Sequence, residues 1–323
     1  MTDRTLTVAA VQMESKNGDI AGNLARAGRW AGEAARCGAA LVLLPELFST
    51  GFELNAHSWH SAEPQGGPSE TWLTAVARRH GLHIGGSYLE ARGEDFFNTF
   101  ALAAPDGAIA GRVRKSHPCS LEAYVFAGGD DDHVIPTAIG RIGVAICYDS
   151  SLHAVWDKLL AGDPDLALMP MSAPTPMRNF LYTQKRIDAY HAAFRDGATQ
   201  IAAGVGVPVL MANKWGPWET DLPGIWPRQT SRFPGFSHIA DSDGREVARV
   251  GDGEGVIVAP VRLVAGRKRR TLPPECDRYR PWIGSVPSDF KLFRWFEALG
   301  RRWYGRHPQR AGVARRICAT GSS

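Results

Sequence analysis

No apolar run in the 323-residue sequence approaches the ~18 residues that would cross a bilayer, so a membrane span is not expected. The start, Met1-Thr2-Asp3-Arg4, lacks the basic stretch and apolar segment of a secretory leader. Cysteine is scarce: five residues, an odd number, widely spaced and without a Cys-x-x-Cys pair. That pattern offers neither a disulfide framework nor a zinc site, and a reduced cytoplasmic compartment is the expectation. Gly-x-Ser-x-Gly, His-Glu-x-x-His and phosphate-loop motifs are missing, as are repeats and low-complexity segments. Charge of either sign is modest, with a formal net charge of +4. Residues 262–323 carry more than the whole excess, with Arg267-Lys268-Arg269-Arg270 and Arg301-Arg302 as clusters. No nucleic-acid motif accompanies them, so they read as solvated surface and no nucleic-acid partner is expected.

What is present is an ordinary globular composition, 44% hydrophobic and 22% charged, in a chain long enough to bury a large core without staples. Three segments share one design, an apolar run closed by a reactive side chain. Leu41-Val42-Leu43-Leu44 runs into Pro45-Glu46. Ala108 to Val113 runs into Arg114-Lys115. Gly143-Val144-Ala145-Ile146 runs into Cys147-Tyr148-Asp149. Apolar, β-branched runs of this length read as buried strands. Ligands of α/β proteins bind beyond strand carboxyl ends, so a carboxylate, an ammonium and a thiol can converge there as base, electrophile and nucleophile.

The remaining pattern alternates strands with helices. Strands are expected at 6–12, 41–44, 82–89, 98–104, 108–113, 134–135, 143–146, 166–169, 200–203, 209–212, 236–241, 246–250 and 256–261. Helices are expected at 23–36, 70–80, 152–160 and 183–195, with a further one from about Ser288 to Tyr304. The whole reads as a mixed sheet pair covered by helices. A helix beginning near Ser150 or Ser151 would lower the pKa of Cys147.

Leu44-Pro45-Glu46-Leu47-Phe48, Gly111-Arg112-Val113-Arg114-Lys115-Ser116-His117 and Gly143 to Asp149 resemble the three signature regions of the nitrilase superfamily, the carbon–nitrogen hydrolases, in that family's order. Weaker resemblance spans residues 5–261, including Val8 to Met13, Pro208 to Asn213 and Gly235 to Ile239. It implies an α/β fold, a four-layer αββα sandwich, with a hydrolase domain over 1–265 and an extension over 266–323 packing on the core or on a partner subunit. It implies Cys147 as nucleophile, Glu46 as general base, Lys115 as oxyanion stabiliser with the Tyr148 backbone N–H, and Glu122 as a fourth active-site residue. His117 is read as a supporting residue. Tyr124, Tyr148 and Ser172 are expected near substrate, with Met171, Ala173 and Trp215 as further strand-end candidates. Trp215, Trp218 and Trp226 crowd an insertion that can form a lid or a packed surface loop. Cys37, Cys119, Cys276 and Cys318 read as ordinary thiols.

The implied chemistry is hydrolysis of a small carboxamide or N-carbamoyl compound through a thioester, without metal or organic cofactor. Cys147-Tyr148-Asp149 resembles amidase branches, whereas the spacing from Lys115 to Glu122 resembles nitrilases. A nitrilase and an acyltransferase that passes the acyl group to an amine are the alternatives. Ser150-Ser151-Leu152-His153 departs from the amidase continuation beside the pocket. Phe290, Phe293, Phe296 and Leu299 recur at helical spacing with Trp295 and Trp303 nearby. That face needs cover from its own subunit, a partner or a membrane surface; a homodimer is the expectation.

Overall fold

The computed structural model describes residues 3–179, 182–224, 228–272 and 287–321. The chain begins β1 (Arg4–Gln12), α1 (Ile20–Arg36), β2 (Leu41–Leu43), α2 (Pro68–His80), β3 (His83–Arg92), β4 (Asp95–Ala103) and β5 (Ile109–Arg114). It continues with β6 (Val134–Thr137), β7 (Gly140–Val144), α3 (His153–Ala161), β8 (Leu166–Met171), α4 (Gln184–Arg195), α5 (Gly197–Val205) and β9 (Val209–Asn213). It closes with β10 (Trp215–Thr220), β11 (Gln229–Pro234), β12 (His238–Ala240), β13 (Glu246–Arg249), β14 (Gly255–Leu263), α6 (Pro287–Arg306) and α7 (Arg310–Thr320).

Two mixed six-stranded sheets result, in the orders β14-β1-β2-β3-β4-β5 and β13-β12-β9-β8-β7-β6. The two-residue period of the strands explains why they stack. Val8, Ala10, Leu41, Leu43, Leu166 and Leu168 point into a core between the sheets. Their neighbours Ala9, Val11 and Val42 face Ala27, Ala31 and Ala34 of α1 and Leu73 and Ala77 of α2. Ala167 and Met169 face Trp156 and Leu159 of α3 and Ile201 and Val205 of α5. Strands buried on both faces must be apolar throughout, which is why their runs are so continuous. The layers are therefore helix, sheet, sheet, helix, the expected αββα sandwich.

α1 starts where Asp19 accepts the Gly22 N–H at 3.0 Å, a side-chain cap for an otherwise orphaned donor. Its small residues let the helix lie close on β1. The β4–β5 hairpin turns at Pro105-Asp106-Gly107, where Gly107 has φ +83°, a conformation that favours glycine.

One expected strand changes, one open alternative is narrowed and one helix is added. Residues 200–203, read as a strand, lie inside α5, which buries Ala198, Ile201, Ala202 and Val205 and ends at Gly206 with φ +72°. A run as short as Gln200-Ile201-Ala202-Ala203 has no period of its own, and packing against β9 decided it. The tryptophan-rich insertion is a hairpin, β10 with β11. Its Trp218 is buried against Phe52 and Phe233 and donates to the Phe52 carbonyl at 2.6 Å, so that residue is packed rather than a free lid. Trp226 and Cys276 lie outside the described residues. α7 had no expected counterpart; it buries Val313 and Ala314 against the core of its own chain.

α6 crosses the turn at Ser120–Tyr124. Gly300 is the point of closest approach, where a Cβ would meet Tyr124 Cδ2 at 2.8 Å. Trp303 packs on Tyr124 and Phe293 on Tyr148. Trp295 and Leu299 remain exposed, and the side chain of Phe290 lies outside the described residues. No helix among the described residues is long and apolar enough to cross a membrane.

Candidate active site

Glu46 follows β2, Lys115 follows β5, Cys147 follows β7 and Ser172 follows β8, so both sheets deliver side chains to one rim. The Glu46 N–H donates to the Met171 carbonyl at 3.3 Å, and Ser172 Oγ donates to the Glu46 carbonyl at 2.9 Å. These two bonds bind the rim of the first sheet to that of the second. Lys115 is held by its N–H on the Asn98 carbonyl and by its own carbonyl, which accepts from Gly129. Gly129 must be small because a Cβ there would stand 2.3 Å from Arg114 Cβ.

Glu46 and Lys115 are fully buried and Glu122 nearly so. Lys115 Nζ donates to Glu46 Oε1 at 2.8 Å and stands 2.7 Å from Glu122 Oε2. Asn98 Nδ2 adds a 2.7 Å bond to Glu46 Oε1. Glu122 Oε2 also accepts the Cys119 N–H at 2.6 Å. Dry ion pairs of this kind survive only when their other lone pairs are filled, and most are. Glu46 Oε2 is the exception, with no partner among the described residues.

The electrostatics follow from geometry. Burial opposes the Lys115 charge, but Glu122 and Glu46 outweigh it and lift its pKa well above the lysine value. Lys115 is therefore a permanent cation. Burial pushes the Glu122 carboxyl up to about 7, against the pull of Lys115. Burial and the Glu46 charge also push the Cys147 thiol well above its usual range, with Lys115 opposing. The expected lowering by a helix N-terminus does not occur. A tight turn, Cys147–Ser151, intervenes before α3, and the neighbouring carboxylates dominate. A neutral thiol here needs a base to become a nucleophile.

Cys147 adopts φ +47°, Leu47 beside Glu46 adopts +48°, and Ser120 near Glu122 adopts +53°. Left-handed backbone at non-glycine residues costs about 1–3 kcal/mol each, and such strain gathers where side chains must be aimed. Ser150 Oγ steadies the nucleophile turn by donating to the Cys147 carbonyl at 2.6 Å. Asp149, fully buried, accepts the Ser116 and His117 N–H groups at 2.8 and 2.9 Å, tying the lysine loop to the cysteine turn. His117 Nδ1 lies 3.1 Å from the same carboxylate, a supporting position.

Glu46, Lys115, Glu122 and Cys147 are thus brought together. Tyr124 packs on α6, Tyr148 is the second residue of the cysteine turn, and the Ser172 hydroxyl is spent on the Glu46 backbone. The Ser172 N–H instead faces the Cys147 thiol. Trp215 bonds Asp252 at 3.0 Å in a solvent-exposed contact. Sequence reading passed over Asn98, Asp149, Tyr190 and Lys214. Asn98 is a polar residue inside an apolar strand, and Asp149 closes the cysteine motif; both signals were legible. Tyr190 of α4 lies within electrostatic reach of Cys147 and Cys119, which no sequence spacing shows.

The profile of the carbon–nitrogen hydrolase family matches residues 7–271. The chain belongs to the carbon–nitrogen hydrolases. Among this hydrolase's relatives is a 2-oxoglutaramate amidase of Bacillus subtilis, 27% identical over 244 residues, 74% of this chain and 85% of the relative. An N-carbamoylputrescine amidase of Solanum lycopersicum is 29% identical over 282 residues, 83% of this chain and 90% of the relative. The fold matches a mutant amidase from Nesterenkonia sp. AN1 that carries the acetamide moiety of fluoroacetamide covalently on its active-site cysteine. That match has a TM-score of 0.62 and 20% identity, covering 81% of this chain and 91% of that one. This chain is an enzyme, a carbon–nitrogen hydrolase with amidase-like relatives.

Proposed function

We propose that this hydrolase is an amidase cleaving the C–N bond of a small carboxamide or N-carbamoyl compound. The observation that carries the reading is the convergence of Cys147 with the fully buried Glu46–Lys115 pair at one sheet rim, Glu46 Oε2 having no hydrogen-bond partner among the described residues. Glu46 Oε2 takes the thiol proton as the sulfur attacks the carbonyl carbon. Lys115 and the Tyr148 backbone N–H stabilise the oxyanion; a fixed cation in a dry site needs no reorganisation to do so. Glu46 passes its proton to the departing ammonia or amine, leaving a thioester on Cys147. Glu46 then draws a proton from water, which releases the acid and restores the thiol. Glu122 holds Lys115 from the far side and stands beside the substrate. The amidase names of the two relatives support the substrate class.

The test is ammonia or amine release from a panel of amides, carbamoyl compounds and nitriles, with wild-type protein and Cys147→Ala. Turnover of amides that disappears in Cys147→Ala, while the thermal midpoint is unchanged, is the expected result. Turnover of nitriles alone, or activity retained by Cys147→Ala, overturns the reading.

A further inference from the structure

α6 turns one stripe of side chains toward the active-site segments. Phe293, Glu297, Gly300 and Tyr304 recur at helical spacing and share one face, while Trp295 and Leu299 are exposed on the other. Tyr304 anchors the far end: its hydroxyl accepts the Phe96 N–H at 2.8 Å and donates to Asp95 at 3.1 Å. Gly300 lies against the turn Ser120–Tyr124, where a Cβ would stand 2.9 Å from the Ala123 carbonyl carbon. Phe293 meets the Tyr148 ring edge-on at 6.1 Å, in the turn that carries Cys147. One helix therefore touches the segment that holds Glu122 and the segment that holds the nucleophile.

Glu297 is the charged member of that stripe, and it is buried. A carboxylate kept from water needs partners. Oε2 lies 3.6 Å from Arg301 one turn on, and Oε1 accepts the Ser120 N–H at 3.5 Å. Ser120 has φ +53°, a backbone state that a non-glycine residue keeps only where its surroundings fix it. The preceding N–H, of Cys119, goes to Glu122 Oε2 at 2.6 Å, and that oxygen stands 2.7 Å from Lys115 Nζ. Successive N–H groups of one turn are thus taken by Glu122 and by Glu297. We propose that Glu297 is a positioning residue: from the C-terminal helix it fixes the turn at Ser120 and so aims Glu122 at Lys115 and the substrate. The inference rests on the reading of Glu122 as an active-site residue.

The experiment is a double-mutant cycle on amide turnover with wild type, Glu297→Ala, Glu122→Gln and the double variant, and with Glu297→Gln as the conservative replacement. Glu297→Ala should lower kcat on the order of tenfold, with KM less affected. Glu297→Gln keeps an oxygen for the Ser120 N–H and should keep most of the wild-type rate. In the Glu122→Gln background, Glu297→Ala should cost nothing further, because the carboxylate that it aims is gone; a merely structural role would slow both backgrounds alike. An unchanged kcat in Glu297→Ala, equal losses in the two backgrounds, or a Glu297→Gln variant as slow as Glu297→Ala overturns the inference. A normal kcat in Glu122→Gln overturns the reading of Glu122 and the inference with it. If Glu297→Ala does not fold, Gly300→Ala, whose Cβ presses on Ala123, takes its place in the cycle with the same expected outcomes. The rate of Cys147 alkylation by iodoacetamide needs no amide, and there too Glu297→Ala should act only where Glu122 is present, so an inactive amide panel leaves the test standing.

Discussion

Replacing Lys115 by Met removes an ammonium bonded to two buried carboxylates, at 2.8 Å from Glu46 and 2.7 Å from Glu122. Breaking a buried ion pair by deleting one partner costs about 3–5 kcal/mol, because the survivor stays desolvated and uncompensated. With an unfolding entropy of roughly 2.1 cal/mol/K per residue, that loss lowers the melting midpoint of a chain this size by about 4–7 °C. The loss should depend on pH with a definite sign. Glu122 already sits at about 7 with Lys115 in place, and without the cation it is raised further above its unfolded value near 4.3. Below that value both states are protonated and the penalty is absent. As pH rises, the unfolded chain ionises while the folded one still holds its protons, so stability falls. Thermal scans of wild type and variant at pH 5 and pH 8 should show a small deficit at the lower pH and the full deficit at the higher. Activity should fall on the order of 10²-fold or more in kcat with KM less affected, as for loss of an oxyanion donor. A variant melting within a degree of wild type at both pH values would refute the dry, shared ammonium. A rise in KM alone would refute the oxyanion role.

Glu122→Gln removes a charge beside Lys115 but keeps the shape, and should lower kcat while the protein stays folded, as read by steady-state kinetics and circular dichroism; unchanged kcat would remove Glu122 from the active site. Asp149→Asn weakens the acceptor shared by Ser116 and His117, so it should cost about 1–3 kcal/mol of stability and slow turnover. Melting and kinetics unchanged from wild type would show that the lysine loop does not need this tie. Sedimentation of the full chain at micromolar concentration should show a homodimer, with the exposed Trp295 and Leu299 face of α6 as the contact to mutate first. A monomer at that concentration would exclude it.

The sequence alone was enough for the sheets and for the order of the reacting groups. Strands buried on both faces have to be written as unbroken apolar runs, so β1, β2, β8 and β9 announced themselves, and the polar residue ending such a run stood out as Glu46, Lys115 or Cys147. The resemblance of the three motifs then carried the family. Where a run was short the local signal failed, as at α5, whose stretch Gln200-Ile201-Ala202-Ala203 suits a strand or a helix until β9 and β12 are placed beneath it. The sign of the Cys147 shift could not be read either. Its pKa is set by burial, by Glu46, by Lys115 and by Glu122, groups that lie from 25 to 101 residues away in the chain. Lys214 is the clearest case: in the sequence it is one lysine between an asparagine and a tryptophan. Only the closed fold buries it beside the rings of Phe52 and Phe233, with no hydrogen-bond partner for Nζ among the described residues, because burial belongs to a neighbourhood in space.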